Sequence, residues 1–287
     1  MKPFIILMLF IATSSCSSPN KIEYSFFAAG HAYGDPMDNE SSKGIYKPFK
    51  DKFQFINENK KIELGFLLGD VVRTPGYWDI TEEDLSQLNA TIYIARGNHD
   101  GALEQFEKRF GKSYKSFFKN QDLFIILDPN IDNWNISGEQ LIFLKNVIRN
   151  KAKKAKNIFI LMHQIIWWTP NEYSKPFPNS TYGRADSVNF WNQIEPLLVK
   201  SNKPVFIFGG DLGAFSSEQR NKNYPVEYSY FNKNNVTYIG TGMGGGSKDN
   251  FVIVDVFANG QVDFRLIHLN GDDINGLGKL EDYSTIN

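Results

Sequence analysis

Five short polar stretches carry the residue types that bind divalent cations, and each follows directly on an apolar run. The five are GHAYGD (30–35), GDVVR (69–73), RGNHD (96–100), HQ (163–164) and GGDLG (209–213). Carboxylate oxygens, amide oxygens and imidazole nitrogens are common protein ligands of divalent ions. The pattern therefore predicts a metal site that is assembled from residues far apart in the chain.

The apolar runs that precede these stretches predict buried β-strands. The runs cover residues 22–29, 62–68, 91–95, 157–162 and 203–208. Continuous apolar runs of this length are typical of strands that are buried on both faces. Because ligands bind beyond the carboxyl ends of the strands in open α/β sheets, the polar stretches are expected to meet at one edge of the fold.

Helical patterns alternate with the strands and place helices outside the sheets. The clearest helix is predicted over residues 138–155, where leucine and isoleucine recur at helical spacing. Ser137 and Gln140 are expected to form a capping box at its start. Residues 258–260 are typical of a hairpin turn between two C-terminal strands. The expected fold class is a layered α/β sandwich.

The size and charge of the chain limit what it binds. Its 287 residues include 31 basic and 32 acidic side chains, which give a net charge of -1. This balance predicts no electrostatic binding of nucleic acid or of an anionic membrane surface. We expect one domain over residues 22–270 and a C-terminal tail over residues 271–287.

The N-terminus has the pattern of an export signal. Lys2 precedes an apolar run over residues 4–12, which is too short to span a bilayer. Cys16, the chain's one cysteine, follows in a segment that resembles a bacterial lipoprotein cleavage site, although Thr13 departs from its aliphatic preference. We expect residues 1–16 to be the signal, 17–21 a leader, and the lipid anchor the only membrane contact. A periplasmic or secreted protein is the alternative.

The order of the polar stretches resembles the calcineurin-like metallophosphoesterase superfamily. That pattern reads Asp-x-His, Gly-Asp, Gly-Asn-His-Asp or Glu, His, and Gly-His-x-His. The segment 97–100 is the most specific match, with Gly69 and Asp70 upstream of it. The resemblance implies a four-layer α/β/β/α sandwich and hydrolysis of phosphoesters by two metal ions that share a bridging carboxylate.

The resemblance supplies most of one metal site. By position in the motifs, Asp70 is the bridging carboxylate, and Asn98 and His163 are ligands of the second ion. Asp211 stands where the family pattern has a histidine. Three oxygen ligands and one imidazole form a harder site than the family's, which favours Mn²⁺ or Mg²⁺ over Zn²⁺. Mn²⁺ is the expected cofactor, with Mg²⁺, Fe, Zn²⁺ and Ca²⁺ as alternatives.

The other metal site of the family is depleted. His31 and Asp70 remain, but Ala29 replaces the first aspartate and Gly213 replaces the last histidine. Three hypotheses stay open at this point. The chain is a phosphoesterase with one ion, an enzyme in which Asp35 helps to restore a second ion, or a catalytically silent binding protein.

The resemblance also assigns catalytic roles. It makes His99 the general acid that protonates the leaving oxygen, with Asp100 orienting its ring. With a single ion, His31 would position the substrate instead of binding metal.

Four residues near the motifs are expected to contact the substrate, which is a small-molecule or polymer phosphoester. Arg73 and Arg96 have the planar guanidinium that suits phosphate oxygens. Trp167 and Arg184 lie at either end of a long loop after His163, and the indole could stack on a sugar or base.

Overall fold

The computed structural model describes residues 21–36, 38, 40, 43–172, 177–213, 228–246, 248–269 and, for the backbone, 277–279. Strands in this part of the chain are β1 (Ile22–Ala29), β2 (Ile62–Leu68), β3 (Thr91–Ala95), β4 (Lys115–Lys119), β5 (Asp122–Ile126), β6 (Ile158–Met162), β7 (Val205–Leu212), β8 (Ser229–Lys233), β9 (Val236–Gly242), β10 (Asn250–Phe257), β11 (Val262–His268) and β12 (Leu277–Lys279). The α-helices are α1 (Lys47–Lys50), α2 (Phe53–Glu58), α3 (Trp78–Leu85), α4 (Leu103–Phe110), α5 (Gly138–Lys151) and α6 (Glu195–Val199).

The strands form two six-stranded mixed sheets. The first sheet has the order β12-β11-β10-β1-β2-β3, and the second has the order β4-β5-β6-β7-β9-β8. Strands β1, β2 and β3 are parallel to one another, and so are β5, β6, β7 and β9. The carboxyl ends of these parallel strands therefore lie along one edge of each sheet, as the sequence predicts.

Three hydrophobic clusters lie between successive layers of helices and sheets. The sheets face each other across rings such as Phe26 and Phe124, whose centroids lie 5.4 Å apart. The other face of the first sheet packs on α1 to α4 through a cluster that includes Phe49. The other face of the second sheet packs on α5 and α6 through Leu144 and Leu198. The expected α/β class is confirmed, and helices pack on the outer face of each of the two facing sheets.

Strand β1 shows why its sequence is apolar on both sides. Tyr24, Phe26 and Ala28 point into the space between the sheets. Phe27 and Ala29 point to the opposite side, towards the helices. Because side chains alternate along a strand, a sheet in the middle of a sandwich needs apolar residues at successive positions.

The predicted bounds of the first three strands are confirmed, but the predicted capping box is wrong. The Ser137 hydroxyl donates to Asp132 Oδ2 at 2.5 Å. The Gln140 amide bonds the main chain of Asp128, accepting from its N–H at 2.6 Å and donating to its carbonyl at 3.0 Å. Gln140 is 2% exposed, so pairing a distant main-chain segment satisfies both polar ends of a buried amide.

Two of the sequence predictions concern the C-terminal strands. The predicted hairpin turn is confirmed, since Gly260 N–H donates to Phe257 carbonyl at 2.8 Å between β10 and β11. Strand β12 pairs with β11 inside the segment predicted as a tail.

The predicted signal and leader fall outside the described residues, apart from residue 21. In the part of the chain that is described, no helix has the length and apolarity to cross a membrane.

Candidate active site

The two strand ends at the centre of the site carry residues in an unusual backbone conformation. His31 follows β1 with φ +57°, and Asp70 follows β2 with φ +48°. Left-handed φ values are uncommon for residues other than glycine and cluster at functional sites. The turns bring the two side chains together, with His31 Nε2 3.6 Å from Asp70 Oδ2. Both side chains are almost fully buried.

Glycines let the two sheets approach each other here. A Cβ atom at Gly210 on β7 would lie 2.2 Å from the Leu68 carbonyl oxygen on β2. A Cβ atom at Gly30 would lie 2.3 Å from the Gly210 carbonyl oxygen. Only glycine permits such a backbone approach, and it places side chains from the ends of both sheets within contact distance.

The four predicted ligands of the second ion come together around His163. Its Nε2 lies 3.2 Å from Asn98 Oδ1, 3.4 Å from Asp70 Oδ1 and 3.8 Å from Asp211 Oδ1. The opposite ring nitrogen, Nδ1, donates to the Leu68 carbonyl at 2.9 Å. A carbonyl partner at Nδ1 fixes the tautomer and leaves the Nε2 lone pair available to a metal ion.

The electrostatics of this group favour a cation. Burial disfavours a charged imidazole, but the carboxylates of Asp70 and Asp211 outweigh it and raise the pKa of His163 to about 10. Burial also opposes charge on Asp70, yet His163, together with His31 and His99, lowers the pKa of that carboxyl well below its usual range. A divalent ion would satisfy the same carboxylates and displace the imidazole proton.

The donor set fits one hard divalent ion. Asp70, Asn98 and Asp211 supply oxygens, and His163 supplies one nitrogen. Each of the three oxygens lies within 3.8 Å of His163 Nε2. Among the described residues, no three His, Cys, Asp or Glu side chains already surround a common ligand point. Ligation would therefore replace the hydrogen bonds and ion pairs of the group by bonds to the ion.

The remaining metal position of the family does not fit an ion in the same way. Gly213 has φ +88°, and a Cβ atom there would lie 2.4 Å from Met243 N, so the backbone leaves no room for a side chain. Ala29 is buried and carries no donor. The Asp35 carboxylate lies against Gly245, where a Cβ atom would be 2.8 Å from its Oδ2. A second ion that uses Asp35 stays a prediction.

The glycine-rich turn that contacts Asp35 is closed by an acidic side chain of its own. The N–H groups of Gly244 and Gly245 donate to Asp249 Oδ2 at 2.9 and 2.8 Å, and Gly246 N–H donates to Oδ1 at 3.1 Å. Successive N–H groups of this kind form an anion-binding nest. Because the fully buried Asp249 carboxylate fills the nest, these donors are not available to a phosphate.

His99 lies at the edge of the metal group and is held by main-chain contacts. Its N–H donates to Asp70 Oδ1 at 3.0 Å, and its ring nitrogen Nδ1 lies 3.0 Å from the Arg73 carbonyl oxygen. A carbonyl oxygen only accepts, so Nδ1 carries a hydrogen and Nε2 is the nitrogen that can exchange a proton with a substrate. The ring is half-buried and lines an open cleft.

The expected role of Asp100 is corrected by its contacts. Its Oδ1 accepts from the N–H groups of Val71 and Val72 at 2.8 and 3.1 Å, and its Oδ2 accepts from Gly97 N–H at 2.7 Å. The carboxylate thus joins the loops after β2 and β3, while the Arg73 carbonyl orients the His99 ring. Burial and the nearby Asp70 charge raise the pKa of Asp100 to about 6.

Arg96 does not have the expected place in substrate binding. Its Nε and Nη2 donate to the two carboxylate oxygens of Asp128 at 2.7 and 3.2 Å, and its Nη1 donates to the Gly101 carbonyl at 3.0 Å. The side chain is 8% exposed, and that of Asp128 is fully buried. The guanidinium is therefore committed to a buried ion pair, because a buried carboxylate needs a partner.

The two other predicted substrate contacts are also packed into the protein. Trp167 is 2% exposed and lies in the cluster under α6, with its ring centroid 5.6 Å from that of Tyr238. The Arg184 guanidinium lies 5.8 and 5.3 Å from the ring centroids of Trp134 and Trp168. These contacts show Trp167 in the core and Arg184 as part of the packing of the loop.

Arg73 keeps its expected place beside the site. A cleft of about 510 Å³ opens next to His99. Its lining residues are Arg73, Thr74, Pro75, Arg96, Asn98, His99, Gly101, Ala102 and Asn130. A phosphoester bound there would contact the predicted general acid, one metal ligand and a guanidinium.

Tyr33 is a site residue that the sequence reasoning missed. Its ring centroid lies 4.3 Å from that of His31 and 5.2 Å from that of His99. It is 2% exposed. The available signal was its position two residues after His31 in a predicted ligand loop.

A two-sheet α/β sandwich with carboxylate, amide and imidazole ligands at its strand ends is the arrangement of a metallophosphoesterase. The chain belongs to the calcineurin-like phosphoesterase family, whose model matches residues 31–242. It is thereby assigned to a family of phosphoester hydrolases that use divalent metals. The suspected resemblance of the motifs is confirmed.

Two solved structures are similar to this chain at low sequence identity, and the first of them shows the same fold. A purple acid phosphatase, PPD1, from yellow lupin (Lupinus luteus) seeds matches with a TM-score of 0.57 and 13% identity. The match covers 86% of this chain and 51% of the phosphatase. A 5'-nucleotidase from Candida albicans matches with a TM-score of 0.46 and 12% identity. The match covers 88% of this chain and 53% of the nucleotidase. This chain thus spans about half the length of either protein. No curated protein matches the sequence significantly.

Proposed function

We propose that the chain hydrolyses phosphoesters with one divalent ion held by Asp70, Asn98, His163 and Asp211. The observation that carries this proposal is the convergence of three oxygens within 3.8 Å of His163 Nε2. The ion would supply Lewis-acid polarisation of the phosphoryl group and activation of water. Mn²⁺ is the ion we expect, because oxygen ligands dominate the donor set.

The residues around the ion account for the remaining chemistry. As water attacks, a P–O bond forms, one proton of the water passes to solvent, and the bond from phosphorus to the leaving oxygen breaks. Protonated Nε2 of His99 donates its proton to that leaving oxygen, while the Arg73 carbonyl holds the ring from the other side. The Arg73 guanidinium, at the rim of the cleft, neutralises charge on the phosphoryl oxygens.

The substrate class and the location of the protein are part of the same proposal. Family membership supports a phosphoester substrate, small or polymeric. The N-terminal pattern that ends at Cys16 supports export and a lipid anchor in the cell envelope. Together they favour a phosphoester that is found outside the cytoplasm.

The first experiment measures metal content and turnover on the same protein. The purified full chain is supplied with Mn²⁺, analysed for bound metal and assayed with aryl phosphate monoesters and diesters. We expect about one ion per chain, lost in Asp70→Asn and Asp211→Ala, together with Mn²⁺-dependent hydrolysis. His99→Ala should retain the ion and lower kcat about 10²- to 10⁴-fold, which is the usual contribution of general acid catalysis.

A surface carboxylate provides the matched control. Asp51 lies after α1 and makes an exposed ion pair with Lys47, so Asp51→Asn should change neither metal content nor rate. Two bound ions would support the alternative in which Asp35 restores the other position. Bound metal with no turnover of any ester would favour a silent binding protein.

A further inference from the structure

Tyr33 lies beside His31 and Asp70, the two residues that remain from the family's depleted metal position. Its ring packs between the imidazoles of His31 and His99, which flank Asp70. His31 is one of the two remaining donors of that position, and His99 lines the cleft. The phenol ring therefore lies between His31 and a residue that lines the cleft.

The main chain holds this ring in place. Tyr33 N–H donates to the Asp70 carbonyl at 3.3 Å, and the next N–H, that of Gly34, donates to the His31 carbonyl at 3.0 Å. Tyr46 N–H, which precedes α1, donates to the Ala32 carbonyl at 2.9 Å. The turn is thus tied to β2 on one side and to the start of α1 on the other, so the ring has little freedom to move.

The hydroxyl is the part of Tyr33 without a structural role. Within the described residues it makes no hydrogen bond, although the side chain is 2% exposed. A hydroxyl that makes no hydrogen bond within the protein is able to bond a ligand or water. A phenol that filled space alone would be served equally well by phenylalanine.

We propose that the Tyr33 hydroxyl donates a hydrogen bond to a nonbridging phosphoryl oxygen of the bound ester, on the His31 side of Asp70. The proposal rests on the phosphoester hydrolase function above. Ala29 and Gly213 remove two donors from this side, so charge on that oxygen needs another partner. Hydrogen bonds to charged acceptors are about twice as strong as neutral ones, and a fixed phenol pays little entropy to form one.

The arrangement also selects a substrate class. A phosphate monoester has three nonbridging oxygens, and a diester has two. The ion, the Arg73 guanidinium and the Tyr33 hydroxyl offer three separate partners for them. We therefore expect monoesters to gain more from Tyr33 than diesters do.

The test compares Tyr33→Phe with wild type in the full chain supplied with Mn²⁺. We expect kcat/KM for an aryl phosphate monoester to fall about 10- to 100-fold, as for loss of a hydrogen bond to a charged group. The corresponding diester should lose less. Affinity for inorganic phosphate, measured by calorimetry, should fall with the monoester rate, while bound Mn²⁺ and the thermal midpoint stay unchanged.

Tyr93→Phe is the matched control. Tyr93 on β3 stacks on the rings of Phe66 and Phe117, with centroids 5.4 and 4.5 Å away, so its hydroxyl should affect none of these measurements.

Three results would overturn the proposal in distinguishable ways. Wild-type rates and phosphate affinity in Tyr33→Phe would remove the hydroxyl from substrate binding and leave the hydrolase intact. Loss of Mn²⁺ from Tyr33→Phe would place the phenol at the ion instead of the substrate. A wild type that neither binds Mn²⁺ nor hydrolyses either ester would refute the proposed function itself.

Discussion

Removing the Arg96 guanidinium should weaken the fold, because its partner carboxylate has no access to water. Asp128 is fully buried, and without Arg96 it would keep one N–H donor, that of Asn130 at 3.1 Å. Breaking a buried ion pair by deleting one partner costs about 3–5 kcal/mol. In a domain of this size about 1 kcal/mol lowers the thermal midpoint by roughly 2–4 °C. Arg96→Ala should therefore lower it by roughly 6–20 °C.

The assay is thermal unfolding of the full chain, followed by circular dichroism. The double variant Arg96→Met with Asp128→Leu should regain most of the loss, since neither charge then needs a partner. Arg149→Ala is the control, because Arg149 lies on the exposed face of α5 and donates a hydrogen bond to Asn146 Oδ1 at 2.7 Å. It should change stability by less than about 0.5 kcal/mol.

Steady-state kinetics test whether Arg96 binds the substrate instead. At a temperature where Arg96→Ala stays folded, its KM for a phosphate ester should remain close to the wild-type value. An unchanged thermal midpoint with a KM raised tenfold or more would show that Arg96 serves the substrate, and the ion-pair reasoning would be refuted.

Two further substitutions test the packing and the charge of buried positions. Gly213→His should bind no additional metal, and its free energy of unfolding, measured by thermal unfolding, should fall by at least about 1–3 kcal/mol. The reason is that the left-handed backbone at this position is strained for any side chain. One extra ion per chain would contradict this expectation. Burial raises the pKa of Asp122 despite hydrogen bonds from Tyr24 and Asn157. The folded carboxyl therefore keeps its proton to higher pH than the unfolded one, and the contribution of Asp122 to wild-type stability falls as pH rises above about 4. In urea unfolding, the free energy of unfolding of Asp122→Asn should rise relative to that of wild type from about pH 4 to pH 7. A difference between the two that is independent of pH would exclude this linkage.

The strands and the meeting of the proposed metal ligands at one edge could be predicted because their signals are local. Each of β1, β2 and β3 is an apolar run that stops within a residue of glycine or arginine, so composition alone gives its bounds. Parallel strands then bring their carboxyl ends to one edge whatever the rest of the chain does. That geometry is enough to place Asp70, Asn98 and His163 together.

The partners of individual polar side chains could not be predicted in this way. Arg96 precedes a ligand motif and has the chemistry of a phosphate contact, but its ion pair forms with a residue 32 positions away. Gln140 fits a capping box locally, yet a buried main-chain segment at Asp128 uses its amide. Which partner is chosen depends on burial and on distances across the fold, which a local pattern does not contain.

The proposed metal ligands come in equal numbers from the two sheets. Asp70 and Asn98 follow strands of the first sheet, while His163 and Asp211 belong to the second. An ion bound by all four would thus link the two sheets to each other as well as serve as a cofactor. The sheets could not separate without releasing it, so the lifetime of the folded state would depend on the supply of metal.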